Sequence, residues 1–230
     1  MLPCSQGSRS RAAEKACGIC LLVAVAIPLG ASLTCSLRPR LPSSLDRSGT
    51  VDLELRVQSG DILFRRQATF LSNTVLRFDR EGTFSHVGLI VRVNDAVRVV
   101  HTVPFSGNGF LDGVRIDTMR AFLEGSETVD YALFRVHPEH REAALRAADQ
   151  ALRFYSRHIP FDTEFQLDSS DRLYCTELVW RAYLESGLAL LTDLPNSLTA
   201  LPLLRSKVLL PSTLQNSPYL RSIVTERLPE

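Results

Sequence analysis

The period of the hydrophobic pattern changes near Pro138, and that change leaves the chain few architectures. Before it, "DILFRR", "HVGLIVRV", "AVRVVHTV" and "YALFRVH" are short runs rich in Val, Ile, Leu and Phe, separated by Gly, Asn and Asp breaks. Such runs read as strands. The break "VNDA" is short enough for a hairpin, which makes the second and third runs antiparallel neighbours. After Pro138 the pattern turns helical, and "EHREAALRAADQALRFYSR" sets Ala144, Ala147, Ala148, Ala151 and Leu152 on one face. "HIPFDTEFQLDSSDR" reads as a loop. A second helix, "LYCTELVWRAYLESG", follows with Ser169, Ser170 and Asp171 as N-cap candidates and Gly187 as its C′ residue. "LPST" starts one more short helix at Pro211. Strands followed by helices predict a single α+β domain over residues 51–230, an antiparallel sheet packed against helices, rather than a βαβ repeat.

The first 35 residues differ in kind. Arg9, Arg11 and Lys15 precede the apolar run "ACGICLLVAVAIPLGASLT", with small residues at Gly30, Ala31 and Ser32. These are the parts of a secretory signal, and the run is also close to the length that remains as a membrane anchor. Residues 1–35 are therefore expected to be a signal peptide or anchor, and residues 36–50, rich in Ser, Pro and Arg, a linker. The expected location is exported: periplasmic, or membrane-associated through residues 17–34. Lipidation at Cys35 is a further reading, against which Thr34 stands where a small Gly or Ala is usual. With 26 basic against 25 acidic side chains, the chain has no charge excess that would recruit nucleic acid, and no such partner is expected.

Four of the five cysteines, Cys4, Cys17, Cys20 and Cys35, fall in that first segment, leaving Cys175 alone in the folded body. Its place after the cap candidates puts it in the first turn of a helix, where free N–H groups and the helix dipole bias a thiol toward thiolate. A lone cysteine is also a common small core residue. A nucleophile needs a base held by a third group, so the five histidines decide between the readings. His137 and His140 flank a strand-to-helix corner and His158 lies in a loop. His86 starts one strand of the expected hairpin and His101 lies near the end of the other, so their rings can meet at one end of the sheet. A zinc site using His86, His101 and Cys175 is a competing use of the same side chains, although no CxxC or HExxH pair supports it.

The ordered set "SGDILFRR", "FSHVGLIV", "RVVHTVP", "IPFDTEF" and "LYCTELVWRAYLESG" resembles the permuted papain-like cysteine amidases of the YiiX and YaeF type, relatives of the NlpC hydrolases. The resemblance covers roughly residues 58–224, and it places the histidine strand before the cysteine helix, the reverse of papain. It implies a circularly permuted papain-like α+β fold with the nucleophile at a helix N-terminus. It further implies Cys175 as nucleophile, His86 as general base and His101 as the orienting group. Tyr174 is a candidate for shaping the oxyanion site, beside the backbone N–H of Cys175. His101 stands where relatives often have an acidic residue. A neutral imidazole can accept the N–H of His86 and fix its tautomer, but lends no negative charge. Phe161 stands where "PYD" would carry a tyrosine. The implied activity is a cysteine hydrolase, amidase- or peptidase-like, cleaving an amide or ester through a thioester without a cofactor. Its expected substrates are peptides or acyl lipids of the cell envelope. A thiol acyltransferase, a lipid hydrolase and a non-catalytic binding module on the same fold are the alternatives. The oligomeric state is left open.

Overall fold

A computed structural model of the chain describes residues 47–68, 70–104, 113–124, 128–167, 169, 171–194, 199–201 and 206–227. The expected signal segment 1–35, with Cys4, Cys17, Cys20 and Cys35, lies outside the described residues, as do most of the expected linker and Ser170. The first helix, α1, spans Arg47–Arg56 and so starts within the stretch expected to be linker.

Six strands form one antiparallel sheet: β1 (Ile62–Gln67), β2 (His86–Val93), β3 (Ala96–Val103), β4 (Gly113–Thr118), β5 (Thr128–Val136) and β8 (Leu220–Arg227). Their order across the sheet is β4-β3-β2-β1-β5-β8. Two short strands, β6 (Thr199–Leu201) and β7 (Ser206–Val208), pair separately. The hairpin between β2 and β3 turns at Asn94 and Asp95, whose φ angles of 49° and 62° give the double left-handed turn that matches strand twist.

Both faces of the sheet are covered, which is why its central strands read as near-continuous apolar runs. On one face Ile62, Phe64, Val87, Leu89 and Val100 pack with the helices α4 (Arg141–Ser156) and α5 (Cys175–Glu185). On the other, Leu63, Ile90, Val99 and Leu133 pack with Leu53 of α1 and with Met119, Phe122 and Leu123 of α3 (Met119–Glu124). The remaining helices are α2 (Phe70–Phe78) and the short α6 (Pro211–Gln215), which begins at Pro211 as expected. The buried face of α4 carries Ala144, Ala147, Ala148 and Ala151, together with Ala143 and Phe154, while Leu152 is half-buried. Helix α5 ends in a Schellman motif at Gly187, φ 91°: Gly187 N–H donates to Leu184 O, and Leu188 N–H to Tyr183 O.

The start of α5 differs from the serine and aspartate caps expected. Tyr174 is the N-cap and Cys175 the first helical residue, with the Glu177 carboxylate accepting from Tyr174 N–H at 3.4 Å. Ser169 instead bonds the carbonyls of Gln166 and Arg172. Arg181 holds this corner by donating from Nη2 to Glu177 and to the carbonyls of Leu167 and Ser169. Burial pushes the Glu177 carboxyl up, to about 8, against the pull of Arg181.

Candidate active site

His86 opens β2 and His101 lies near the end of β3, and on an antiparallel pair both side chains fall on the face covered by α3. Their rings meet edge to face with centroids 5.1 Å apart, and His86 Nε2 lies 3.0 Å from His101 Nδ1. The Phe122 ring stacks on His86 at 5.6 Å and meets His101 edge-on at 5.0 Å, so both imidazoles are fixed by packing. His140 and His158 make ring contacts elsewhere, with Tyr219 and Tyr155.

A residue that sequence reading missed completes the row. Asp117 on β4 lies 2.9 Å from His101 Nε2 through Oδ2, and its Oδ1 accepts from Arg115 Nη2 at 3.1 Å. This contact determines both tautomers. A carboxylate only accepts, so His101 carries its proton on Nε2 and offers a lone pair at Nδ1. His86 must then donate from Nε2, which leaves the lone pair of His86 on Nδ1, the nitrogen free to act as a base. The negative charge that a histidine in the third position lacks is thus present one ring further on. The alternation in "GVRIDT" was the available signal, since Val114 and Ile116 face one way and Arg115 and Asp117 the other.

Cys175 comes to the same end of β2 from the opposite face of the sheet. It packs against the α4–α5 side of the core and forms no disulfide. Its Sγ lies 3.7 Å from Thr176 Oγ1, and the backbone N–H groups of Val87, Thr176 and Cys175 itself are placed to stabilise negative charge on sulfur. Val87 is the residue after His86. The nucleophile candidate and the base candidate therefore come to the same end of β2, where the β2–β3 ladder stops at Leu89 and Val100.

Burial decides the charge state of the pair. It pushes the Cys175 thiol up, more than the hydroxyl and backbone donors pull it down, so the helix start alone does not hold a thiolate. It also pushes His86 well below the usual imidazole range, with Arg65 and His101 adding to the effect. His101 is lowered by burial too, against the pull of Asp117, and Asp117 is lowered by its bond to His101. Both shifts favour the neutral forms, thiol and imidazole, over a preformed thiolate and imidazolium.

Tyr174 sits with its ring 5.2 Å from that of Phe165, and its hydroxyl accepts from Leu209 N–H at 3.0 Å. Phe161 is buried, and the adjacent Asp162 ties down its loop by accepting from the N–H groups of Glu164 and Gln166.

Among curated proteins none matches the chain. A solved structure, that of the metalloprotein yiiX from Escherichia coli O157:H7, aligns with a TM-score of 0.56 at 23% identity. The alignment covers 74% of this chain and 98% of that one, and the likeness is one of fold. The profile of the permuted papain-like amidase enzymes, the YaeF/YiiX or C92 family, matches residues 56–223, a span that includes His86, His101, Asp117 and Cys175. The chain belongs to the permuted papain-like amidase family.

Proposed function

We propose that this protein is a cysteine hydrolase in which Cys175 is the nucleophile, His86 the general base, and His101 with Asp117 the orienting relay. The observation that carries the reading is the tautomer lock from Asp117 through His101, which leaves His86 Nδ1 as a lone pair at the end of β2 where Cys175 docks. Sγ attacks the carbonyl carbon of the substrate while its proton passes to His86 Nδ1. The oxyanion is received by backbone N–H groups at the start of α5, that of Cys175 among them. His86 then protonates the departing amine or alcohol, the bond to carbon breaks, and a thioester remains. Water, deprotonated by His86, releases the acid and restores the thiol.

The described side chains do not fit the metal alternative. His86 Nε2, His101 Nδ1 and His101 Nε2 are committed to one another and to Asp117, so an ion could use them only by breaking these bonds. The substrate class we propose is an amide or ester of the cell envelope, peptide or acyl lipid, met by an exported or membrane-anchored protein. The composition of residues 1–35 supports that location.

The test is acyl-enzyme trapping with p-nitrophenyl butyrate. The expected result is a burst of nitrophenolate with one butyryl group on Cys175 by mass spectrometry, lost in Cys175→Ala and slowed by about a hundredfold or more in His86→Ala. Undiminished turnover by Cys175→Ala sinks the mechanism. Acyl transfer to an added amine in preference to water would instead favour the acyltransferase alternative.

A further inference from the structure

Arg65 is a charge beside the relay that the relay does not use. It lies on β1 directly opposite His86, is 8% exposed, and places its guanidinium carbon 4.3 Å above the Phe122 ring. Its Nη1 donates to the Phe122 carbonyl, while its Nε is buried without an acceptor. Buried cations are ordinarily paired, because an uncompensated charge in a low-dielectric interior is costly. The neighbouring arginines have such partners: Arg66 pairs with Asp130 and Arg115 with Asp117. Arg65 forms no ion pair among the described residues. Asp117 is close enough to act on it but is committed to His101 and Arg115, and Cys175 is the other group whose negative charge Arg65 would feel.

We propose that Arg65 is a substrate-binding residue that receives a carboxylate on the leaving-group side of the scissile bond, which makes the preferred substrate an amide of an amino acid or a C-terminal peptide residue. This rests on the hydrolase reading above. The side is set by the register: Arg65 stands opposite His86, and His86 is the group that hands its proton to the departing amine. The chemistry is set by the guanidinium, whose planar fork suits a carboxylate and whose face is already supported by an aromatic ring. On the proposed mechanism the tetrahedral oxyanion is received by N–H groups at the helix start and does not call on Arg65.

The test compares alkylation of Cys175 in the full chain by iodoacetate and by iodoacetamide, which differ by one negative charge at similar size. The expected result is a wild-type preference for iodoacetate that falls about tenfold or more in Arg65→Gln and is partly kept in Arg65→Lys. A rate ratio unchanged in Arg65→Gln overturns the proposal. Equal slowing of both reagents also overturns it, because the charge then serves the thiolate alone. Should Arg65→Gln fail to fold, the wild type decides: N-butyrylglycine is expected to protect Cys175 from iodoacetamide saturably and N-butyrylglycinamide not, and equal protection by both is refutation. If neither reagent labels native Cys175 while both label the denatured chain, the nucleophile reading fails and the carboxylate site falls with it.

Discussion

Replacing Asp117 by Asn separates the two things that this residue does for His101. Oδ2 now both fixes the proton on His101 Nε2 and supplies a charge, at 2.9 Å from a ring that is 2% exposed. An Asn amide has one oxygen to give. Arg115 is about one-third exposed and can turn its Nη2 to water, whereas His101 has no such outlet, so the oxygen goes to His101 and the tautomer is kept. What is lost is charge assistance. A hydrogen bond to a charged group contributes about 1.5–3 kcal/mol and a neutral one about 0.5–1.5, so roughly 1–1.5 kcal/mol of support for a protonated relay disappears. That predicts about a tenfold fall in kcat/KM for p-nitrophenyl butyrate, with the melting temperature little changed. Asp117→Ala removes both functions and leaves a buried donor unpaired, so it should slow the enzyme further and cost about 1–3 kcal/mol of stability. Steady-state kinetics and thermal melts on the two variants are the assay. Full activity in both would show that the tautomer lock plays no part in the chemistry. Equal losses of activity and stability in both would show that Asp117 is a structural brace only.

Two other perturbations follow from the same geometry. His101 is held below its ordinary value of 6.5, so between that value and its folded one the unfolded chain binds a proton that the folded chain refuses, and stability falls as pH falls through the window. Melting curves from pH 8 to 5 should therefore fall more steeply in wild type than in His101→Gln; the opposing slope from Glu177 is common to both and cancels, and parallel curves would refute the assignment. Gly88 has no room for a methyl group, since a Cβ there would meet Val99 Cγ1 at 2.5 Å and His101 Cβ at 3.2 Å. Gly88→Ala should cost about 1–3 kcal/mol and lower turnover by wedging β2 from β3, and native-like melting with native turnover would show that the strands give way freely.

The parts of the site legible in sequence were those set by local rules. "VNDA" forces a tight hairpin, and a tight hairpin fixes which residues of its two strands can meet, so His86 and His101 followed from counting along the chain. The elements that were missed depend on distant partners. β4 is a six-residue edge strand whose polar side, Arg115 and Asp117, is explained only once His101 stands beside it. The cap of α5 was misplaced for a similar reason. Serines near a helix start compete for the role, but here Tyr174 is fixed by Leu209 and Glu177, one of them far along the chain, while Ser169 is spent on its own loop. Arg65 looked like an ordinary strand residue in "DILFRR", because a missing counter-charge cannot be seen until the neighbours are known. The state of the thiol likewise depended on burial, which outweighs the helix start and which no spacing reveals.

The proposed relay and the proposed nucleophile come from very different distances along the chain. His86, His101 and Asp117 sit on three strands joined in succession, so the pairings that bring them together close only short loops and cost little chain entropy. Cys175 arrives on a helix encoded much later, and it meets β2 only when α5 docks across the core. A chain caught part-way to the native state would hold its base assembled and its thiol elsewhere, ordinary in reactivity. On the proposed mechanism the thiol and its base therefore meet only in the finished fold, so an immature chain would carry no assembled nucleophile.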